Sequence, residues 1–238
     1  MSADRDLILH EMGLGPLWRL RVPQDAAELA SSPIVAGAAD ALPSTTRVAD
    51  AGADWESLAA SVRDCRKCGL CVARKQAVLG VGDIKADWLF VGEGPGAEED
   101  QRGEPFVGQA GKLLDNMLAA IGLRRGNDVY IANAVKCRPP ENRTPDAEEM
   151  AACRSFLERQ IALIRPKLIV ALGRPAAQTL LESEVKIAAA RGRVHAYQGI
   201  PLVVTYHPAY LLRNLPDKAK AWEDLCHMRR VMRELKGG

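Results

Sequence analysis

The 238-residue sequence predicts an α/β domain: a mostly parallel, four-stranded sheet covered by helices on both faces. Three observations predict it. Short apolar runs alternate along the chain with longer segments of helical apolar spacing, as in successive β-α-β units. The runs are apolar nearly throughout, as in strands buried on both faces. A hydrophobic content of 47% over this length supports one well-buried core with some chain left over.

The elements follow in order. Trp55 to Asp64 has helical character. Asp87 to Val91 is a short apolar run ending at Gly92, a buried strand. From Lys112 to Ile121 the apolar positions Leu113, Leu114, Met117, Leu118 and Ile121 fall on one helical face. Val129 to Ala132 is the second strand. Thr144 is placed to cap a helix with Pro145 in its first turn, running to about Ile164. Lys167 to Leu172 is the third strand, Arg174 to Leu181 a helix, Pro201 to Thr205 the fourth strand and Lys218 to Leu235 the last helix. Upstream, residues 24–53 are rich in Ala, Ser, Pro, Asp and Thr without a sustained period and read as a linker. The expected organisation is therefore an N-terminal segment with linker, 1–53, and a folded domain, 54–238. Within the segment, Leu14, Leu17 and Trp18 suit docking of a partner protein and equally a strap on the domain.

Charge and composition exclude several classes. The formal net charge is only +2, so any nucleic-acid contact must rest on a local basic patch. No apolar run reaches the roughly 18 residues of a membrane span. The N-terminus carries Asp4, Arg5 and Asp6 and lacks the apolar stretch of a secretory signal. A cytoplasmic monomer is expected, with its six cysteines reduced.

In open α/β sheets ligands bind outside the carboxyl ends of the strands. There the sequence places Gly92-Glu93-Gly94-Pro95-Gly96, Asn133, Gly173 and Tyr206-His207-Pro208. Each alone also fits a structural role; together they suit a flat, polar heterocycle. An Asn amide offers a donor and an acceptor side by side, matching O4 and N3–H of uracil, whereas cytosine reverses that order. A neutral His can donate to O2, where negative charge grows as the base departs. Gly92 and Gly94 allow backbone N–H groups to approach closely.

The cysteines form two pairs, Cys65-x2-Cys68 and Cys137-x15-Cys153. Four thiolates suit zinc or a [4Fe–4S] cluster, and spacing does not choose between them. Cys71 adds a third thiol to the first group. Cys226, beside Leu225 and Met228, is expected to be buried.

These motifs continue with Glu98-Glu99-Asp100, Pro105-Phe106-Val107-Gly108, the run Asn133 to Pro140 and the run His207 to Arg213. From Cys65 to Val231 the chain resembles the family 4 uracil-DNA glycosylases of bacteria and archaea. The resemblance implies a three-layer αβα fold and a [4Fe–4S] cluster on Cys65, Cys68, Cys137 and Cys153. It implies uracil held by the Glu93-Gly94 backbone, a stacking Phe106, Asn133 and His207, with Glu99 crowding the C5 methyl of thymine. It also implies a DNA-binding hydrolase of base excision repair that leaves an abasic site; no Lys is evidently placed as an amine nucleophile, so monofunctional action is expected. A thiol at Cys71 is a departure from the family pattern. One related branch is trapped covalently through a histidine in an inserted basic loop. Here Cys137 leads through Arg138 to Thr144 without insertion or histidine, so turnover is expected.

A base inside a duplex must be flipped out to be reached. The turn Ala209 to Leu212 is the expected wedge, through Tyr210 or a leucine such as Leu211, with Arg191, Arg193 and Arg213 on phosphates. Glu93, Glu99 and Asn142 are the candidates for positioning water. Two rivals are a non-catalytic uracil-DNA-binding protein with a structural metal and a radical iron–sulfur enzyme using Cys65, Cys68 and Cys71. Cys137 and Cys153 argue against the second.

Overall fold

The computed structural model describes residues 51–237. The N-terminal segment, with Leu14, Leu17 and Trp18, lies outside the described residues, as does most of the linker. Six strands form one sheet: β1 (Val81–Gly82), β2 (Trp88–Gly92), β3 (Val129–Asn133), β4 (Leu168–Leu172), β5 (Val194–Tyr197) and β6 (Ile200–Thr205). Their order is β1-β3-β2-β4-β6-β5. The four predicted strands are the central ones and pair in parallel. The two edges, β1 and β5, are antiparallel and were not anticipated. β1 is two residues long, and most of β5 lies open to solvent, so neither carries the continuous apolar run of a doubly buried strand.

Nine helices among the described residues flank the sheet: α1 (Ala51–Arg63), α2 (Leu70–Ala73), α3 (Ala97–Arg102), α4 (Gln109–Ala120), α5 (Ala147–Ile164), α6 (Arg174–Leu181), α7 (Ile187–Ala190), α8 (Pro208–Arg213) and α9 (Asp217–Leu235). Alternate strand residues feed two cores. Trp88, Phe90 and Val170 pack on Leu114 and Leu118 of α4 and on Leu225 and Met228 of α9. Leu89, Val91 and Ile169 pack on Leu157 and Ile161 of α5 and on Ala176 and Leu180 of α6. This is the three-layer αβα arrangement. Since β2 is flanked by β3 on one side and β4 on the other, the chain reverses direction across the sheet there. The crevice at the carboxyl ends of β2 and β4 is the natural ligand position.

Two expectations are corrected. The cap of α5 is Asp146, not Thr144. The Asp146 carboxylate accepts from the Glu149 N–H at 2.8 Å, and Glu149 accepts from the Asp146 N–H at 3.0 Å. Pro145 biases Thr144 away from helical backbone, so the helix begins only after the next capping residue. Cys226 is exposed, not buried. The buried stripe of α9 is Ala221, Asp224, Leu225, Met228, Val231 and Met232. One residue is about 100° of helical turn, which carries Cys226 off that stripe. Among the described residues no helix is long and apolar enough to cross a membrane.

Candidate active site

The carboxyl ends of the four parallel strands open into one cleft of about 760 Å³. Glu93, Gly94, Phe106, Asn133 and His207 line it, together with Glu99, Asn142, Tyr210 and Arg213. Gly92 lies beneath the lining. A Cβ there would stand 2.5 Å from both Asn133 Oδ1 and Phe106 Cζ, so glycine lets the two side chains converge over the end of β2.

Asn133 ends β3 and is 2% exposed. Its Oδ1 is buried with no hydrogen-bond partner. Such an atom carries a desolvation cost of about 1–3 kcal/mol until a donor arrives. The Phe106 ring is 5.5 Å from the His207 ring, at 31°.

His207 caps α8, and its Nδ1 accepts from the Ala209 N–H at 3.1 Å. The imidazole proton is therefore placed on Nε2, leaving that nitrogen as a donor. Burial pushes the imidazole down to about 4, nearby Arg213 adds to the depression and Glu99 opposes it. The ring is neutral at physiological pH. Gly173, at φ +88°, makes room for it: a Cβ there would be 2.8 Å from the Cβ of His207.

The three water-positioning candidates have different surroundings. Glu99 Oε1 accepts from Val107 N–H at 2.9 Å and Gly108 N–H at 3.1 Å, and Oε2 from Gly96 N–H at 3.1 Å. Its carboxylate is already engaged in shaping the loop that carries Phe106. Asn142 is exposed, and its Oδ1 accepts from Arg138 Nε at 2.8 Å. Glu93 is half-buried on the cleft wall; burial raises its carboxyl above the usual range, while Thr144 and Arg174 pull it back.

Of the residues expected to touch DNA, Tyr210 and Arg213 reach the cleft and three others do not. Leu211 is 1% exposed and belongs to the core, so it cannot serve as a wedge; its neighbour Leu212 is 42% exposed. Helical geometry separates the two, since adjacent residues on α8 point about 100° apart. Arg191 is committed inside the molecule to Glu223 and to the buried Asp224. Arg193 is exposed but lies off the cleft lining. Sequence reasoning missed Arg174, an exposed cation of the cleft lining at the start of α6. It follows Gly173 at the end of β4, a position that inspection of the strand ends could have reached. It also missed Lys136, which is 1% exposed and donates to the Asn133 carbonyl at 2.8 Å and to Gln160 Oε1. Burial pushes this amine down to about 8. A lysine beside a cysteine carries no sequence signal of such burial. No lysine of the described residues lines the cleft.

A second cavity is lined by Cys65, Cys68, Cys71, Cys137 and Cys153. All are free thiols. Three of the sulfurs accept N–H hydrogen bonds: Cys137 from Arg74 Nη1 at 2.8 Å, Cys153 from Lys136 N at 3.2 Å and Cys65 from Lys67 N at 3.4 Å. Burial pushes the Cys137 thiol up to about 11, against the pull of the Arg74 guanidinium beside it. Among the described residues no three His, Cys, Asp or Glu side chains are grouped for a single ion. The thiols ring a cavity instead of meeting at a point.

The sequence profile described as the Uracil DNA glycosylase superfamily matches residues 79–226. The type-4 uracil-DNA glycosylase of Pyrobaculum aerophilum is 44% identical over 181 residues, covering 72% of this chain and 91% of that protein. The type-4 enzyme of Archaeoglobus fulgidus is 47% identical over 165 residues, 66% of this chain and 82% of the relative. That of Thermotoga maritima is 48% identical over 167 residues, 69% and 86% respectively.

Proposed function

Because the chain belongs to the uracil-DNA glycosylase superfamily and to its type-4 group, it is a DNA glycosylase that removes uracil in DNA repair, and we propose that it does so as a monofunctional hydrolase in the cleft around Asn133 and His207. The observation that carries the site assignment is the partnerless Oδ1 of buried Asn133. Uracil supplies what it lacks: N3–H donates to Oδ1 while the amide nitrogen donates to O4. Phe106 stacks on the base. As the glycosidic bond stretches, charge accumulates on O2, and the Nε2–H of His207 is the donor aimed at it. This bond strengthens as the reaction proceeds, which lowers the barrier instead of merely tightening binding. Glu93 is assigned to hold the attacking water, because its half-buried carboxyl lines the cleft, whereas the Glu99 carboxylate is bound to three loop amides and Asn142 is exposed and bonded to Arg138. The absence of lysine from the described cleft lining supports hydrolysis over amine attack.

Arg174 and Arg213 are the phosphate contacts in this reading, and the exposed Leu212 fills the place of the flipped nucleotide, since Tyr210 is held by stacking on Tyr206 and by donating to Asp217 at 2.6 Å. The glycosylase domain is assigned to residues 54–238, working in the cytoplasm. Cys65, Cys68, Cys137 and Cys153 hold a [4Fe–4S] cluster, a fit supported by the shared cavity and the N–H bonds to sulfur. A cluster on these four thiolates would tie the 65–68 loop to the segment after β3 and to α5.

The function is tested with a labelled uracil-containing oligonucleotide followed by alkali. Strand cleavage at the uracil position only after alkali is expected; binding without base release would support the non-catalytic reading. For the metal, the pure protein should be brown, absorb near ~400 nm and carry about four irons. Cys71→Ala and Cys226→Ala should both keep the colour. A colourless, zinc-loaded protein would overturn the cluster, and loss of colour in Cys71→Ala but not Cys65→Ala would overturn the ligand set.

A further inference from the structure

We propose that Arg125 is a positioning residue for uracil release, holding the ring of Phe106 in place from behind the pocket. The inference rests on the uracil-pocket reading above. Phe106 has φ +56°, in the left-handed region that an aromatic residue seldom occupies. Such a conformation persists only where its surroundings over-determine it. Here both sides of the loop are held. Glu99 accepts from the amides of Val107 and Gly108, after Phe106. Arg125 donates from Nη1 to the Pro105 carbonyl at 2.8 Å and from Nη2 to the Phe106 carbonyl at 2.9 Å. The guanidinium is itself oriented by Asp115 of α4, whose Oδ1 accepts from Nε at 3.1 Å and Nη2 at 2.9 Å.

The approach is too close to be casual. The Phe106 carbonyl lies so near α4 that any Cβ on Gly111 would overlap it. Glycine at 111 admits the carbonyl, and Arg125 satisfies it there. The result is a ring pressed over Gly92 and 5.5 Å from His207, in register with the base-reading amide. A lysine at 125 could not reproduce this, because one ammonium lacks the planar fork that spans two carbonyls and a carboxylate. Arg125 lies outside the cleft lining, so its effect must pass through Phe106.

The test is a double-mutant cycle on Arg125→Ala and Phe106→Ala, read by single-turnover uracil release and by inhibition with free uracil. Arg125→Ala should slow release and weaken free-uracil inhibition by about tenfold, within the range a misplaced pocket group costs. In the Phe106→Ala background, removing Arg125 should cost no more than about twofold, because the group it positions is gone. Arg125→Lys should recover little, and it supplies the same comparison if the alanine variant fails to fold. Arg125→Ala within about twofold of the parent, or a double variant losing the product of the two single effects, would overturn the inference. Failure of the parent protein to release uracil would instead overturn the pocket reading.

Discussion

Replacing His207 by Ala should slow uracil release by about 10²–10³-fold while leaving most uracil-DNA binding in place. The size follows from where the lost interaction acts. The Ala209 N–H donates to Nδ1, which assigns the ring's proton to Nε2 before any substrate binds. A donor fixed in advance costs no reorganisation when charge reaches O2, and it matters more in the transition state than in the ground state. Phe106, Asn133 and the phosphate contacts remain to bind the substrate. Single-turnover cleavage and equilibrium binding, measured on one oligonucleotide at fixed salt, separate the two effects. Equal losses in both would make His207 structural, and normal cleavage would remove it from the mechanism.

The same residue sets an expectation for pH. Burial holds the imidazole near 4, below the ordinary 6.5, so His207 contributes no limb to the rate profile between pH 5 and 8. It does contribute to stability. Between those two values the unfolded chain binds a proton at this position and the folded chain does not, so stability falls as pH drops through that window. Denaturant melts should show this slope in the parent protein and a weaker one in His207→Ala. An acid limb in the rate is expected from Glu93, whose carboxyl burial holds above its usual range.

Asn133→Asp is the second large effect. It exchanges the amide donor for an acceptor facing O4 and puts a carboxylate where the side chain is nearly sealed from water. An unsatisfied buried polar group costs about 1–3 kcal/mol and a charged one more, so uracil release should fall by about 10²-fold. In its protonated form the new carboxyl would present an acceptor and a donor in the order that the amine and N3 of cytosine require. Slow release of cytosine is therefore expected alongside the loss. Uracil activity within a few-fold of the parent would exclude Asn133 as the reader of the base.

The strands were legible because burial on both faces leaves a continuous apolar run, as in Leu89 to Val91 and Leu168 to Leu172. The edges β1 and β5 were not, since a short or half-solvated strand lacks that signal. The convergence of Glu93, Asn133 and His207 could be read from their position after successive strands, because a parallel sheet brings all carboxyl ends to one side. Arg191 and Leu211 show the opposite case. Their residue types suit DNA, but one is neutralised by Asp224 and Glu223, and the other faces the core.

The sequence by itself determined the α/β class, the four central strands, the residue types at their carboxyl ends and the two cysteine pairs. These depend on local pattern and chain order, which the sequence contains. Only the tertiary structure decided which side chains are free to act. It placed the proton on Nε2 of His207, left Oδ1 of Asn133 without a partner and engaged Glu99 and Arg125 around the loop bearing Phe106. Those outcomes depend on contacts between segments distant along the chain, and a hydrogen bond's partner is set by distance and direction in space, which no spacing along the sequence encodes.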